Sequence, residues 1–94
     1  MQETPPKGLE VKISDDELKG RYSNLLRISH TREEFVLDFI NLLPPQGVVT
    51  ARVVTSPGHM KRILRALVTN LEQYEKNHGT IQEAPEPAGD SDVN

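Results

Sequence analysis

The sequence of 94 residues contains no cysteine and no tryptophan. The absence of cysteine excludes disulfides, thiolate nucleophiles and the zinc or iron–sulfur sites that cysteine builds. Aromatic residues are few, two Phe and two Tyr, so we expect a thin core made mainly of Leu, Ile and Val. A chain of this size forms one small domain that hides only about 60% of the surface exposed by its unfolded form, which leaves little room for a deep catalytic cavity.

Long apolar runs are absent too. No segment approaches the roughly 20 apolar residues that span a bilayer, and the first residues, MQETPPKG, do not have the pattern of a signal peptide. We therefore expect a soluble, cytoplasmic protein that makes no membrane contact. The formal net charge is −3, but acidic residues concentrate at the C-terminal end, TIQEAPEPAGDSDVN, so the middle of the chain is nearly neutral. A neutral domain has no strong field to steer it to nucleic acid.

Composition divides the chain into three parts. Residues 1–8 are predicted to be a flexible N-terminal tail, residues 9–81 a single α+β domain, and residues 82–94 an acidic, disordered C-terminal tail. Both ends are rich in polar residues, Pro and Gly and lack apolar periodicity, so they cannot offset the entropy of ordering. The middle part is near the size at which oligomerisation often helps stability.

Apolar and polar residues alternate in several segments, which predicts strands. The segments are LEVKIS at 9–14, YSNLLRISH at 22–30 and VVTARVVT at 48–55. The polar DDELKGR between the first two is predicted to be a loop or a single turn. Pro44 and Pro45 break the chain before the last of these strands.

Residues 34–42 fit two patterns. Thr31 and Glu34 match a helical capping box, and apolar residues recur at helical spacing. The same segment also alternates and is rich in β-forming residues, which favours a strand paired with the previous one through the HTRE turn. The strand is the favoured interpretation, and a helix is kept as the alternative.

One long helix is predicted from Pro57 to about Asn77. Ser56 is a favoured N-cap, Pro57 suits the first helical position, and Gly79 is placed to end the helix. An apolar stripe follows helical spacing: Met60, Ile63, Leu64, Leu67, Leu71 and Tyr74. Asn70, at its edge, is expected to hydrogen-bond across the boundary to the sheet or to another subunit.

These elements predict an α+β fold, an antiparallel sheet of three to four strands covered on one face by the long C-terminal helix. Asp38 and Arg52 are expected to pair on neighbouring strands. The second sheet face would expose Val48 and Val54, with Val36 and Ile40 if 34–42 is a strand. Covering such a patch favours a homodimer built through sheet faces or edges.

The segments YSNLLRISHTREEFVLDF and ARVVTSPGHMKRILRALVTNLEQYEKNHGTI resemble a family of small prokaryotic proteins known only as a domain of unknown function. The similarity follows a Tyr-Ser-Asn start, a His-Thr turn, a Glu-Phe-x-x-Asp-Phe strand and a Ser-Pro-x-His-x-Lys helix opening. It covers about 60 of the 94 residues in matching order and leaves both ends outside. The resemblance supports the strand at 34–42 and implies no activity.

The helix start carries polar residues that the fold does not obviously require. A helix N-terminus can accept an anion, so the speculative partner or anion contacts are Ser56, His59, Lys61, Arg62 and Arg65. No nucleophile elbow, phosphate loop or metal-ligand spacing is present, so no catalytic, cofactor-binding or metal residue is predicted. The leading hypothesis is a non-enzymatic protein-interaction module that acts as a homodimer on an unknown protein partner. The alternative, which is not favoured, is a small nucleic-acid-binding or regulatory protein that uses the basic face of the helix.

Overall fold

The protein has two helices and three strands in a computed structural model that describes residues 3–87. In chain order the elements are α1 (Asp15–Lys19), β1 (Leu25–His30), β2 (Phe35–Leu43), β3 (Gln46–Thr55) and α2 (Pro57–His78). The strands form one antiparallel sheet in the order β1-β2-β3. The fold is therefore α+β, with a three-stranded antiparallel sheet and one long C-terminal helix.

The described residues divide into two compact units. One contains residues 3–20 and 58–82, and the other contains residues 21–57 and 83–87. The sheet belongs to the second unit and nearly all of α2 to the first. Of the predicted acidic tail, residues 88–94 lie outside the described part of the chain.

The segment that fitted both a helix and a strand is the central strand β2. Thr31 sets the turn before it, because its hydroxyl accepts from the N–H groups of Glu33 (3.1 Å) and Glu34 (3.2 Å). The Thr31 N–H in turn donates to the Glu34 carbonyl at 2.9 Å. Thr31 therefore closes a β1–β2 hairpin, as the HTRE turn predicted, and does not cap a helix.

The turn between β2 and β3 consists of Pro44 and Pro45, whose shared peptide bond is cis. Proline cannot donate to a strand ladder, so the pair ends β2 and makes a short connection. Pairing resumes at once, with Leu43 opposite Gln46. β3 therefore begins two residues before the predicted strand.

A β-bulge at Thr50 interrupts the β2–β3 ladder. Phe39 is opposite Ala51 and Ile40 is opposite Val49, so Thr50 is the extra residue on β3. Its hydroxyl donates to the Phe39 carbonyl at 3.0 Å. Because side chains alternate along a strand, the extra residue reverses which face the earlier part of β3 presents.

The bulge corrects the predicted composition of the two sheet faces. Residues directly opposite each other on paired strands share a face, so Val49 joins Ile40 and Val48 falls on the other face. We call one face the Leu37 face, with Leu26, Ile28, Leu37, Phe39, Val48 and Val53. We call the other the Asp38 face, with Arg27, Val36, Asp38, Ile40, Val49, Arg52 and Val54. Leu37 and Ile40, which are 5% and 8% exposed, form the core.

The strand predicted at residues 9–14 is wrong. These residues join no ladder in the structure, and Val11 is 75% exposed. Alternation only permits a strand, which also needs a neighbour for its backbone N–H and C=O groups. Ser14 instead caps α1, because its hydroxyl accepts from the Glu17 N–H at 3.3 Å.

The long helix agrees closely with its prediction. α2 begins at Pro57 and ends at His78, and Gly79 follows with φ +93°, a conformation that glycine adopts readily. The Gly79 N–H donates to the Glu75 carbonyl at 2.9 Å. The Asn70 amide donates to the Ala66 carbonyl one turn earlier in the same helix (2.9 Å), and its expected hydrogen bond across a subunit boundary stays a prediction.

Candidate functional site

The basic residues of α2 lie along one side of the helix. Lys61 and Arg65 are one turn apart and both are exposed. Leu64 and Val68 line the same shallow depression as these two side chains. We call Lys61, Arg62 and Arg65 the basic arc. The basic arc therefore borders an apolar surface, an arrangement suited to a partner that offers carboxylates beside apolar groups.

A carboxylate from the start of the chain already contacts this helix. The Oε2 atom of Glu3 lies 2.6 Å from Arg62 Nε and 3.9 Å from His59 Nδ1. The contact with Arg62 is both an ion pair and a hydrogen bond, which Arg62 Nε donates. A segment that was predicted to be a flexible tail thus supplies an anionic group to two of the five predicted contact residues.

The predicted contacts do not all converge. The Glu3 carboxylate lies near both His59 and Arg62, whereas Lys61 and Arg65 are neighbours one helical turn apart. Ser56 is the single exposed residue between β3 and α2 and belongs to the other compact unit. The structure therefore places four of the five predicted residues on α2, and Ser56 directly precedes the helix.

The Asp38 face contains a buried carboxylate held by two arginines. Asp38 is 3% exposed. Arg52 donates to it twice, from Nε to Oδ1 (2.7 Å) and from a terminal nitrogen to Oδ2 (2.9 Å), and Arg27 adds a longer contact of 3.4 Å to Oδ2. The Asp38–Arg52 pair is as predicted, and Arg27 joins it because it lies opposite Asp38 on β1.

The arginines decide the charge state of this carboxylate. The hydrogen bonds from Arg52 lower the pKa of Asp38 below its ordinary value of 3.8, although burial acts in the opposite direction; Arg27 lowers it further. The same hydrogen bonds raise the pKa of Arg52. Asp38 is therefore ionised and both of its oxygens accept hydrogen bonds from arginine, which suits a structural role better than proton transfer.

Asn24 extends the β1–β2 ladder with its side chain. Its amide nitrogen donates to the Leu42 carbonyl at 3.0 Å, and its amide oxygen accepts from the Leu42 N–H at 2.8 Å. The Asn24 backbone N–H also donates to the Ile40 carbonyl at 3.0 Å. The side chain thus takes the place of a backbone residue beside β2, where β1 has not yet begun.

Two of the histidines make ring contacts. His30 stacks on Phe35 with ring centroids 5.0 Å apart, and His78 lies 4.8 Å from Tyr74 on the last turn of α2. Within residues 3–87 no three His, Asp or Glu side chains are arranged to hold a metal ion. The same range contains no helix that is both long and apolar enough to cross a bilayer.

Sequence reasoning missed three of these features. The Arg27 contact was available from alternation, since Arg27 points to the same face as Asp38 once the hairpin register is fixed. The role of the Asn24 amide had only an indirect signal in the sequence, because Asn24 lies in the Tyr-Ser-Asn segment that carries the family resemblance. The Glu3 contact gave no signal, because an isolated acidic residue in a polar segment has no periodicity.

Comparison with known families identifies the chain at the family level. The family model described as "Protein of unknown function (DUF3467)" matches residues 1–83. The chain belongs to the DUF3467 family. No curated protein and no solved structure matches it.

The DUF3467 match is longer than the resemblance seen in the sequence. It includes the N-terminal residues, which the resemblance had left outside, and therefore Glu3 as well as every helix and strand. Residues 84–94 fall beyond it. Membership in the DUF3467 family confirms the expected domain of unknown function and carries no activity with it.

Proposed function

We propose that the protein is a non-enzymatic interaction module that acts in the cytoplasm as a homodimer and binds another protein. The observation that carries this proposal is the exposed apolar surface of the Leu37 face. Leu26, Ile28 and Val53 surround the buried Leu37 and are each 44–45% exposed. Contiguous apolar patches of this kind usually mark interaction surfaces in proteins.

Covering the Leu37 face would contribute free energy to association. Complete burial of a Leu, Ile or Val side chain contributes about 1.5–3 kcal/mol, so covering the remaining surface of each side chain is worth roughly 1 kcal/mol. A two-fold interface uses the same residues from both copies, which doubles the gain. Three side chains from each copy then contribute about 6 kcal/mol, so a stable dimer needs further contacts around them to offset the cost of association.

The outer edges of the sheet offer a second means of association. Among the strands of the described residues, β1 and β3 each have β2 as a neighbour on one side only. An unpaired edge presents backbone N–H and C=O groups to another strand. Association through an edge or a face fits the homodimer expected from the sequence.

The basic arc of α2 supports an acidic protein partner. Glu3 at Arg62 indicates that a carboxylate is compatible with this helix surface, and Lys61 and Arg65 extend the positive charge beside Leu64. A partner segment with carboxylates next to apolar side chains would match both properties. The non-enzymatic part of the proposal is supported by Asp38, whose buried carboxylate is neutralised by arginines.

Sedimentation equilibrium of the full chain tests the homodimer. At tens of micromolar we expect the mass of two chains, and a mass of one chain at that concentration would refute the homodimer. Affinity capture then tests the partner surface by comparing the full chain with the variant Arg65→Glu. Loss of a captured protein by the variant, with an unchanged circular dichroism spectrum, is expected.

Nucleic-acid binding through the basic arc is the alternative function. The Glu3–Arg62 ion pair weighs against it, because it removes one of three neighbouring positive charges. Contacts to several phosphates weaken steeply as salt rises, whereas apolar protein contacts do not. A mobility shift at low salt that disappears at moderate salt would support the alternative over the proposed protein-interaction role.

A further inference from the structure

Residues of α2 recur at intervals of four, three, four, three and four. They are Met60, Leu64, Leu67, Leu71, Tyr74 and His78. We call this set the heptad stripe, because such spacing aligns two helices along one seam. Leu64, Leu67, Leu71 and Tyr74 are each 53–60% exposed, and no residue of α2 is buried. The described residues 3–87 of one chain therefore leave most of the stripe uncovered.

We propose that the heptad stripe packs antiparallel against the same stripe of a second copy. This inference rests on the homodimer proposed above and assigns its interface to α2, in place of the Leu37 face or the sheet edges. A two-fold axis beside Thr69, midway along the stripe, brings Leu67 against Leu71 of the second copy. The same axis brings Leu64 against Tyr74 of the second copy, so large side chains meet along the whole seam.

Charge pattern supports the antiparallel direction. Lys61, Val68 and Glu75 border the stripe on one flank, separated by seven residues each. The two-fold axis brings Lys61 of each copy near Glu75 of the other and places the two Val68 side chains together at the centre. Two opposite-charge pairs therefore form symmetrically, at flanking positions that commonly select partner and orientation.

A parallel arrangement lacks this complementarity. It would place each stripe residue beside its own counterpart, so that the two His78 side chains meet, and it would put Glu75 beside Asn70 of the second copy. No opposite charges would then meet along the seam. The exposed charges of α2 thus favour one direction over the other.

The N-terminal segment is compatible with this seam. Glu3 lines a groove with Ile63, Ala66, Leu67 and Asn70, on the flank opposite Lys61 and Glu75. The Glu75 carboxylate also accepts from the Ile81 N–H at 2.9 Å through one oxygen. That bond holds Glu75 at the end of α2 and leaves the second oxygen for Lys61 of the other copy.

Charge reversal tests the inference in the full chain. We expect Lys61→Glu and Glu75→Lys each to raise the dimer dissociation constant about tenfold, because two attractive pairs become repulsive. The double variant Lys61→Glu/Glu75→Lys should return to the wild-type value. The matched control is Lys76→Glu, which makes the same charge change away from the seam and should leave dissociation unchanged. Sedimentation equilibrium measures all five proteins.

Crosslinking provides an independent measurement, since the chain has no native cysteine. Lys61→Cys and Glu75→Cys chains, mixed and treated with a short bismaleimide, should give the mixed crosslinked dimer. Lys61→Cys alone should not, because the two copies of this residue would be roughly 24 Å apart along the helix axes. A wild-type monomer would refute the homodimer itself. A wild-type dimer without charge rescue or mixed crosslink would refute only the α2 seam and leave association to the sheet.

Discussion

Replacing Asn24 with alanine should lower the stability of the sheet by a measurable amount. The change removes two hydrogen bonds, from the Asn24 amide to the Leu42 carbonyl and from the Leu42 N–H to the amide oxygen. Each intramolecular hydrogen bond contributes a net of about 0.5–1.5 kcal/mol, and the loss leaves two part-buried backbone groups without their partner. We expect the free energy of unfolding to fall by about 1–3 kcal/mol.

Urea unfolding followed by circular dichroism measures this loss. With an m-value of about 1–2 kcal/mol/M for a small chain, the midpoint should fall by roughly 1 M. Asn41→Ala is the matched control, because Asn41 is the same residue type, is exposed, and precedes Leu42 on β2. All samples need one protein concentration, since association contributes to apparent stability. Equal midpoint shifts for Asn24→Ala and Asn41→Ala would refute the role assigned to the amide.

Four further changes test other parts of the structure. Acid titration should destabilise the protein as pH falls below about 3.8, because a carboxyl with a lowered native pKa contributes stability that is lost as it protonates. Asp38→Asn should abolish this acid-dependent loss of stability. If the loss persisted in Asp38→Asn, its assignment to Asp38 would be contradicted. Arg52→Lys should lower the thermal midpoint, since lysine cannot reproduce the two-pronged contact; an unchanged midpoint would contradict it. Thr50→Val should cost about 1 kcal/mol in urea unfolding through loss of the hydrogen bond to the Phe39 carbonyl. Glu3→Gln should change stability by at most about 1 kcal/mol, with the difference disappearing at high salt, because its ion pair with Arg62 is exposed.

Local chemistry determined most of the elements that sequence reasoning predicted correctly. Pro57 and Gly79 bound α2 through properties of single residues, fixed φ at one end and tolerance of positive φ at the other. β2 was recognised as a strand because its alternation and β-forming residues outweighed the capping-box pattern at Thr31. The Asp38–Arg52 pair followed once two neighbouring strands were assigned.

The errors concern pairing between distant parts of the chain. Leu9–Ser14 alternates as well as a true strand does, but no ladder partner receives it, and alternation cannot reveal that. The extra residue at Thr50 exchanged Val48 and Val49 between faces, because a shift of one position reverses every side chain beyond it. The Glu3 contact depends on a charge meeting across more than fifty residues, which no local pattern encodes.

The bulge at Thr50 also bears on resistance to aggregation. β3 is a long edge strand with exposed Val48, Val49, Val53 and Val54, a composition that readily recruits other chains into cross-β stacks. A bulge bends the strand and divides its straight row of backbone groups into two short pieces, which is one way natural edge strands avoid uncontrolled pairing. Arg52 places a charge between the two valine pairs. We therefore expect Thr50 and Arg52 to limit aggregation, and a chain without Thr50 to present a flat, valine-rich edge suited to fibril growth.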